Sequence, residues 1–249
     1  MHSRNSGAPE DTRAATFETT RWSIVLAAGG RASPKSDQAL ARLCECYWPP
    51  LYSYVRRRGY SADAAQDLTQ AFFARLLEKK TLSAANRERG KFRCFLLASM
   101  KHFLTNEWDR SQAQKRGGHV EFISFDAAAI EQRYAGEASS DLSPERLFDR
   151  RWAVTVLQLV LDELRRQLAA EGKHEFFDCV KGHLAGEQSE LSYRELGAQL
   201  GMSEAALKVA IHRLRRRYGK LIHEHIAQTV ASPAEVDDEL KHLLASVSG

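Results

Sequence analysis

Apolar residues recur at helical spacing along most of the first half of the chain. Two stripes with spacings of three and four residues predict buried helix faces. They comprise Leu68, Ala71, Phe72 and Leu76, and then Phe92, Phe95, Leu96, Met100 and Phe103. Between Asp37 and Arg110 no alternating pattern of useful length predicts a β-strand. The first half is therefore expected to be all helical.

The helical pattern breaks between Gly117 and Pro144, where small and acidic residues follow a short β-prone segment from Val120 to Phe125. This composition predicts a linker. Helical patterns resume at about residues 145–170, 173–185, 192–200 and 203–227, and Ser232-Pro233 opens a terminal helix. The apolar stripe of that helix comprises Val236, Leu240, Leu243 and Val247. We expect an all-α protein of two helical domains joined by a flexible linker.

Residues 192–217 carry the sharpest local signal. Ser192 and Glu195 form a capping box pattern, Gly201 supplies a tight turn, and Ser203 can cap the next helix. On that helix the core-facing positions are Leu207, Ile211 and Leu214, and the opposite face carries Ala205, Lys208, His212 and Arg215, flanked by Val209 and Arg216. This division is typical of a helix-turn-helix whose second helix enters the DNA major groove. The alternative is a helical hairpin with basic solubilising residues.

Two polar faces in the first half suggest further contacts. Asp63, Asp67 and Gln70 lie at positions i, i+4 and i+7 of a helix, where their oxygens could dock a basic partner. The alternative is a solvated side of an amphipathic helix. Further along, cations are mixed with His102, Asn106 and Trp108, groups that suit phosphate binding, base hydrogen bonding and stacking.

Composition and charge narrow the function classes. The net charge is only +4, but arginines cluster at Arg56–Arg58 and between Arg213 and Arg217, which indicates a polyanionic partner. The four cysteines are too scattered for a disulfide framework or a zinc finger. No apolar secretory core or run of about 18 apolar residues occurs, so we expect a cytoplasmic protein without membrane insertion. We predict no catalytic site, no metal site and no cofactor.

The order of these segments resembles the extracytoplasmic-function sigma factors of bacterial RNA polymerase. The stretch from Arg58 to Phe73 resembles conserved region two, the stretch from Phe92 to Arg110 the adjoining promoter-melting part, and residues 192–217 conserved region four. The resemblance covers roughly residues 40–225 and depends on the combination of segments. It implies an N-terminal tail and short helix at 1–30, a region-two domain at 31–116, a linker at 117–148, a region-four domain at 149–228 and a helical extension at 229–249.

The resemblance also implies roles for individual residues. The residues expected to bind the clamp helices of the largest polymerase subunit are Asp63, Asp67, Gln70 and Phe73. Those expected at the downstream promoter element are Lys101, His102, Asn106, Trp108, Arg110, Lys115 and Arg116. Those expected at the upstream element are Ser203, Ala205, Lys208, Val209, His212, Arg213, Arg215 and Arg216.

The chain is most similar to a subset of that family with a Thr-Thr-Arg-Trp-Ser segment, here Thr19 to Ser23, and a C-terminal helical tail. It departs from the family pattern where a Trp-Leu pair reads Phe95-Leu96 and where Asn and Asp read His102 and Asn106. A Lys-Ser-Arg triplet likewise reads Lys208-Val209-Ala210, which loses an arginine and lets Val209 contact a thymine methyl. We therefore expect altered promoter specificity.

The resemblance implies a non-enzymatic sigma factor that binds core RNA polymerase, double-stranded promoter DNA and the melted single strand. An anti-sigma factor or a kinase would be its regulator. One alternative is a conventional helix-turn-helix regulator that binds DNA as a dimer without polymerase, which leaves the Asp63–Asp67–Gln70 face unexplained. A nucleic-acid hydrolase is a second alternative, but it needs clustered carboxylates or metal ligands that the sequence does not assemble.

Overall fold

A computed structural model describes residues 34–78, 91–113, 127–135, 141–185, 192–230 and 232–248. Every regular element in these ranges is helical, which confirms the expected all-α fold class. The N-terminal Thr-Thr-Arg-Trp-Ser segment and the β-prone segment from Val120 to Phe125 lie outside the described residues.

Three helices build the first unit: α1 (Pro34–Arg57), α2 (Ala62–Glu78) and α3 (Phe92–Ala113). Gly59, with φ +97°, turns the chain between α1 and α2 in a conformation that side chains disfavour. Helix α1 packs against both of the others. Phe72 and Leu76 are buried as predicted, but the prediction for Ala71 is wrong, because this residue is exposed. Thr69 is buried instead, and its hydroxyl donates to the Ala65 carbonyl.

The described residues of the second half form seven further α-helices: α4 (Ala127–Ala135), α5 (Pro144–Ala170), α6 (His174–Val180), α7 (Gly182–Ala185), α8 (Tyr193–Gln199), α9 (Glu204–Ala227) and α10 (Val236–Ser248). A short 3-10 turn, Pro233–Glu235, leads into α10. Ser143 caps α5 through its hydroxyl, and Pro144 occupies an early helical position that needs no backbone donor. At 27 residues, α5 is the longest described helix and spans about 40 Å.

Helix α5 contributes to two hydrophobic cores. Its first half places Phe148, Trp152 and Val156 in a core shared with α1, α2 and α3, and its second half places Leu164 and Leu168 in the core of the helix-turn-helix. Helix α9 is shared in the same way, since Ile211 lies in the second core and Ile226 in the first. The predicted domain boundary at residue 149 therefore falls inside a continuous helix, and the predicted linker includes α4 and the first turn of α5.

The terminal helix α10 lies on α5 and α9. Val236 and Leu243 are buried, and Leu240 and Val247 are half-buried, so the predicted stripe is the packed face. Among the helices of the described ranges, none combines the length and apolar character that crossing a bilayer requires.

Candidate nucleic-acid interface

Helices α8 and α9 form the predicted helix-turn-helix. The Ser192 hydroxyl accepts from the Glu195 backbone N–H at 3.3 Å, and the Glu195 carboxylate accepts from the Ser192 N–H at 2.8 Å, so the capping box is complete. Gly201 adopts φ +64° in the turn, and Ser203 caps α9 by accepting from the Ala206 N–H at 3.2 Å. The turn and the start of α9 approach α8 closely at Gly197, where a Cβ atom would lie 2.7 Å from the Met202 carbonyl oxygen of the turn and 3.7 Å from Glu204 N of α9.

The outer face of α9 is open to solvent. Leu207, Ile211 and Leu214 are buried in the second core, as the spacing predicted. The exposed residues on the other side are Ser203, Ala205, Lys208, Val209, His212, Arg213, Arg215 and Arg216. Val209 is 50% exposed, an unusual position for a large apolar side chain, and a groove-facing contact with a thymine methyl would use it.

Several basic side chains of α9 already have partners inside the protein, among them Lys208, Arg215 and Arg217. Lys208 Nζ lies 2.7 Å from Glu204 Oε1, and this hydrogen bond raises the pKa of the lysine and lowers that of the glutamate. The Arg215 guanidinium donates twice to the His183 carbonyl oxygen, at 3.1 and 2.9 Å. Arg217 binds Gln167 and Glu171 of the α5 end. Arg215 therefore joins α9 to α7 instead of pointing freely at solvent.

The predicted downstream-element residues divide between two sides of α3. Trp108 is 59% exposed and lines a cavity of about 430 Å³ with Arg58 and Tyr60. His102 and Asn106 line a different cavity of about 390 Å³, which lies between α3 and α2. The side chain of Arg110 and residues Lys115 and Arg116 lie outside the described residues. The two cavities lie on different sides of α3, so a single strand of nucleic acid would have to cross the helix to contact both.

Carboxylates from outside the first unit contact the cations of α3. Lys101 Nζ lies 2.8 Å from Glu145 Oε1, a hydrogen bond that raises the pKa of Lys101 and lowers that of Glu145. Arg93 Nε lies 2.6 Å from Glu239 Oε1, and Glu239 is only 2% exposed. Glu239 was not predicted as a functional residue. Its position beside Val236, Leu240 and Leu243 on the apolar stripe is the sequence feature that could have indicated its burial.

The predicted polymerase-binding residues occupy two environments on α2. Asp63 and Asp67 are exposed one helical turn apart, and Gln70 is half-buried beside them. Phe73 is 6% exposed and stacks on Trp48 with ring centroids 5.5 Å apart. The acidic face is thus open to a partner, whereas Phe73 packs in the core beneath it.

The described residues contain no group of three or more His, Cys, Asp or Glu side chains that could hold a metal ion. The four cysteines, all within the described residues, form no disulfide; Cys44 and Cys46 are buried, and burial raises the pKa of Cys44 to about 12. Burial of this kind makes a thiol inert.

Comparison with known proteins gives one informative similarity. The chain is 25% identical over 215 residues to the ECF RNA polymerase sigma factor SigE of Mycolicibacterium smegmatis, and the match covers 86% of this chain and 72% of the relative. No protein-family model and no solved structure matches the chain.

Proposed function

We propose that this protein is an extracytoplasmic-function sigma factor, a subunit that binds core RNA polymerase in the cytoplasm and directs it to promoters. The observation that carries the proposal is the similarity to SigE, which is long enough to span both helical units. The helix-turn-helix and the exposed acidic face of α2 support it independently. The proposal assigns no catalytic chemistry to the chain.

In this proposal α9 reads the upstream promoter element. Ala205, Lys208, Val209 and His212 face away from the core, where a helix in the major groove meets base edges. Arg213 and Arg216 are exposed nearer the middle of the helix and would bind phosphates, which gives affinity without sequence information.

Helix α3 would engage the downstream element and the melted strand. An unstacked base can lie on the exposed Trp108 ring, and the Arg58 side chain in the same cavity can approach the neighbouring phosphate. His102 and Asn106 supply hydrogen-bonding groups on the other side of the helix. The acidic face of Asp63 and Asp67 would dock on basic groups of the polymerase clamp.

In vitro transcription with core RNA polymerase and a library of genomic fragments tests the proposal. The full chain should start transcripts at a defined subset of fragments, and these should share an upstream and a downstream element. Core polymerase alone provides the control. Absence of added transcripts, together with absence of binding to core polymerase, would reject the sigma-factor function and favour a conventional DNA-binding regulator.

A further inference from the structure

The cations along α3 are paired with acidic residues that come from α5 and α10. Lys91 Nζ lies 2.9 Å from Glu239 Oε2, Arg93 lies against Glu239 and Asp149, and Lys101 lies against Glu145. Glu145 and Asp149 are one turn apart on α5. Lys91 immediately precedes α3, and Arg93 and Lys101 lie about two turns apart within it.

The pairs at the start of α3 form a buried anchor. Arg93 binds Glu239 through Nε at 2.6 Å and Asp149 through Nη1 at 2.8 Å, and its guanidinium lies over the Trp152 ring at 5.3 Å. The second oxygen of Asp149 lies 3.3 Å from His242 Nε2 of α10. Separating a buried carboxylate from the two cations that hold it is costly, so the contact at the start of α3 is the firmly held one.

The pair at Lys101 is different, because it is open to solvent. The side chains of Lys101 and Glu145 are 45% and 41% exposed. An exposed ion pair of this kind contributes little to stability and exchanges readily with another anion. Glu145 is also held in the first turn of α5, where the helix dipole favours a negative charge.

We propose that the start of α5 together with α10 is an internal acidic cover for α3, and that Glu145 competes with nucleic-acid phosphates for Lys101. The proposal rests on the proposed function only in taking α3 as a nucleic-acid-binding helix. Glu239 is a positioning residue of the cover, since it holds α10 against Arg93, the residue that also binds Asp149 of α5. The protein without polymerase then binds single-stranded nucleic acid more weakly than its basic residues would allow.

Fluorescence anisotropy with a labelled single-stranded DNA of mixed sequence tests the cover, using the full chain at several salt concentrations. Glu145→Gln frees Lys101 and should tighten binding about two- to fivefold, the range that corresponds to one exposed ion pair. The salt dependence should become steeper by about 0.7, the value for one more phosphate contact on a single strand. Asp238→Asn is the matched control: it removes the same charge from an exposed site on α10, where Asp238 Oδ1 lies 3.2 Å from Lys241 Nζ.

A second substitution shows whether the gain in DNA affinity of Glu145→Gln depends on Lys101. Lys101→Ala should abolish the gain in affinity in the Glu145→Gln background, because the lysine that Glu145 releases is then missing. Equal affinities of Glu145→Gln and Asp238→Asn would overturn the proposal. A gain that persists in the Lys101→Ala, Glu145→Gln double variant would overturn it as well, since net charge would then be the cause.

The anchor is tested with Glu239→Gln, after a melting curve has shown that the variant is folded. Loosening the cover should again tighten binding, and unchanged affinity in the folded variant would refute the positioning role. If Glu239→Gln does not fold, His242→Ala loosens the same anchor from its half-exposed side. These binding measurements need no polymerase, so they can be interpreted even if the sigma-factor function is rejected. Conversely, normal transcription with no effect of Glu145→Gln would refute the cover alone.

Discussion

Three consecutive arginines near the middle of α9 show how far side-chain roles depend on neighbours that are distant in sequence. Arg215 binds the carbonyl of His183, and Arg217 binds the end of α5, whereas Arg216 points to solvent. A run of arginines predicts a polyanion partner, but it does not say which members face that partner. Arg215 was predicted from the sequence to contact DNA, and this assignment remains a prediction; in the structure its guanidinium joins α9 to α7.

Base recognition and phosphate binding can be tested separately within α9. Lys208→Ala should cost about 1–3 kcal/mol on the preferred upstream element and little on other sequences, because the residue would face base edges if α9 enters the major groove as proposed. Arg216→Ala should weaken all sequences alike and make the salt slope shallower by about one, because it would lose a phosphate contact. Titration of matched and mismatched duplexes across salt checks both. The opposite pattern would mean that α9 lies in the groove with a different rotation.

Buried charges are the residues that sequence patterns predicted least well. Glu239 follows the spacing of an apolar stripe, yet it is an acid, and its partners Arg93 and Lys91 lie almost 150 residues earlier in the chain. Helical periodicity says which face of α10 is inside, but it carries no information on the opposite charge that makes burial tolerable. Only the packing of α10 beside the start of α3 brings these groups together.

At the scale of elements, helix existence and helix faces were predicted well. The core face of α9, the capping box of α8 and the packed face of α10 are confirmed. The error at Ala71 arises because α2 packs against α1 and α3 with a face that carries Thr69, Phe72 and Phe73, and Ala71 lies outside this face. Tertiary neighbours, which local spacing does not reveal, set the rotation of such a helix.

The close approach of α8 and α9 gives a prediction for glycine. Gly197→Ala should destabilise the protein by about 1–3 kcal/mol, because the new methyl group would meet the Met202 carbonyl oxygen at 2.7 Å. Gly219→Ala is the matched control, since nothing lies within 4 Å of its Cβ position and alanine favours the helix by about 0.5–1 kcal/mol. Urea denaturation of both variants provides the test. Equal stabilities of the two variants would contradict the packing described for the turn.

At the scale of the whole molecule, the described helices form a continuous body because α5 and α9 each enter both cores. The sequence predicted separate domains, since a Gly-, Ser- and Ala-rich stretch between helical segments is the usual sign of a linker. It could not reveal that Phe148, Trp152 and Val156 face the first unit, because an apolar helix face does not identify its partner. The division into two domains therefore stays a prediction. Measuring the distance between the two predicted domains in solution would test it.

The contact between α1 and α4 predicts a dependence of stability on pH. The Glu131 carboxylate accepts from Arg56 at 3.1 and 2.7 Å and from the Tyr52 hydroxyl, and the hydrogen bonds from Arg56 are the main reason that its pKa falls below the usual 4.5. A carboxyl with a lowered folded-state pKa stabilises the protein fully above its unfolded-state pKa and loses that effect as pH falls through the folded-state value.

Glu131→Gln should therefore lower the free energy of unfolding by about 1 kcal/mol at pH 7, and the difference from the natural sequence should shrink below pH 4.5 and vanish below the folded-state pKa. Denaturation curves across that pH range measure it. Glu175→Gln, at a site 86% exposed, is the control and should show no comparable difference. A pH-independent loss in Glu131→Gln would mean that packing, and not the charge, is responsible.

The most direct measurement of the sigma-factor proposal is an equilibrium titration of the labelled full chain with core RNA polymerase. Asp67 is exposed on the acidic face of α2, and a reversed charge there should repel a basic docking surface. Asp67→Arg should weaken binding by about tenfold or more, equivalent to at least about 1.4 kcal/mol, with an unchanged helical fold. Glu175→Arg, the same charge reversal on the exposed side of α6, should bind like the natural sequence. Wild-type affinity in Asp67→Arg, or no binding of the natural chain to core polymerase, would contradict the proposal.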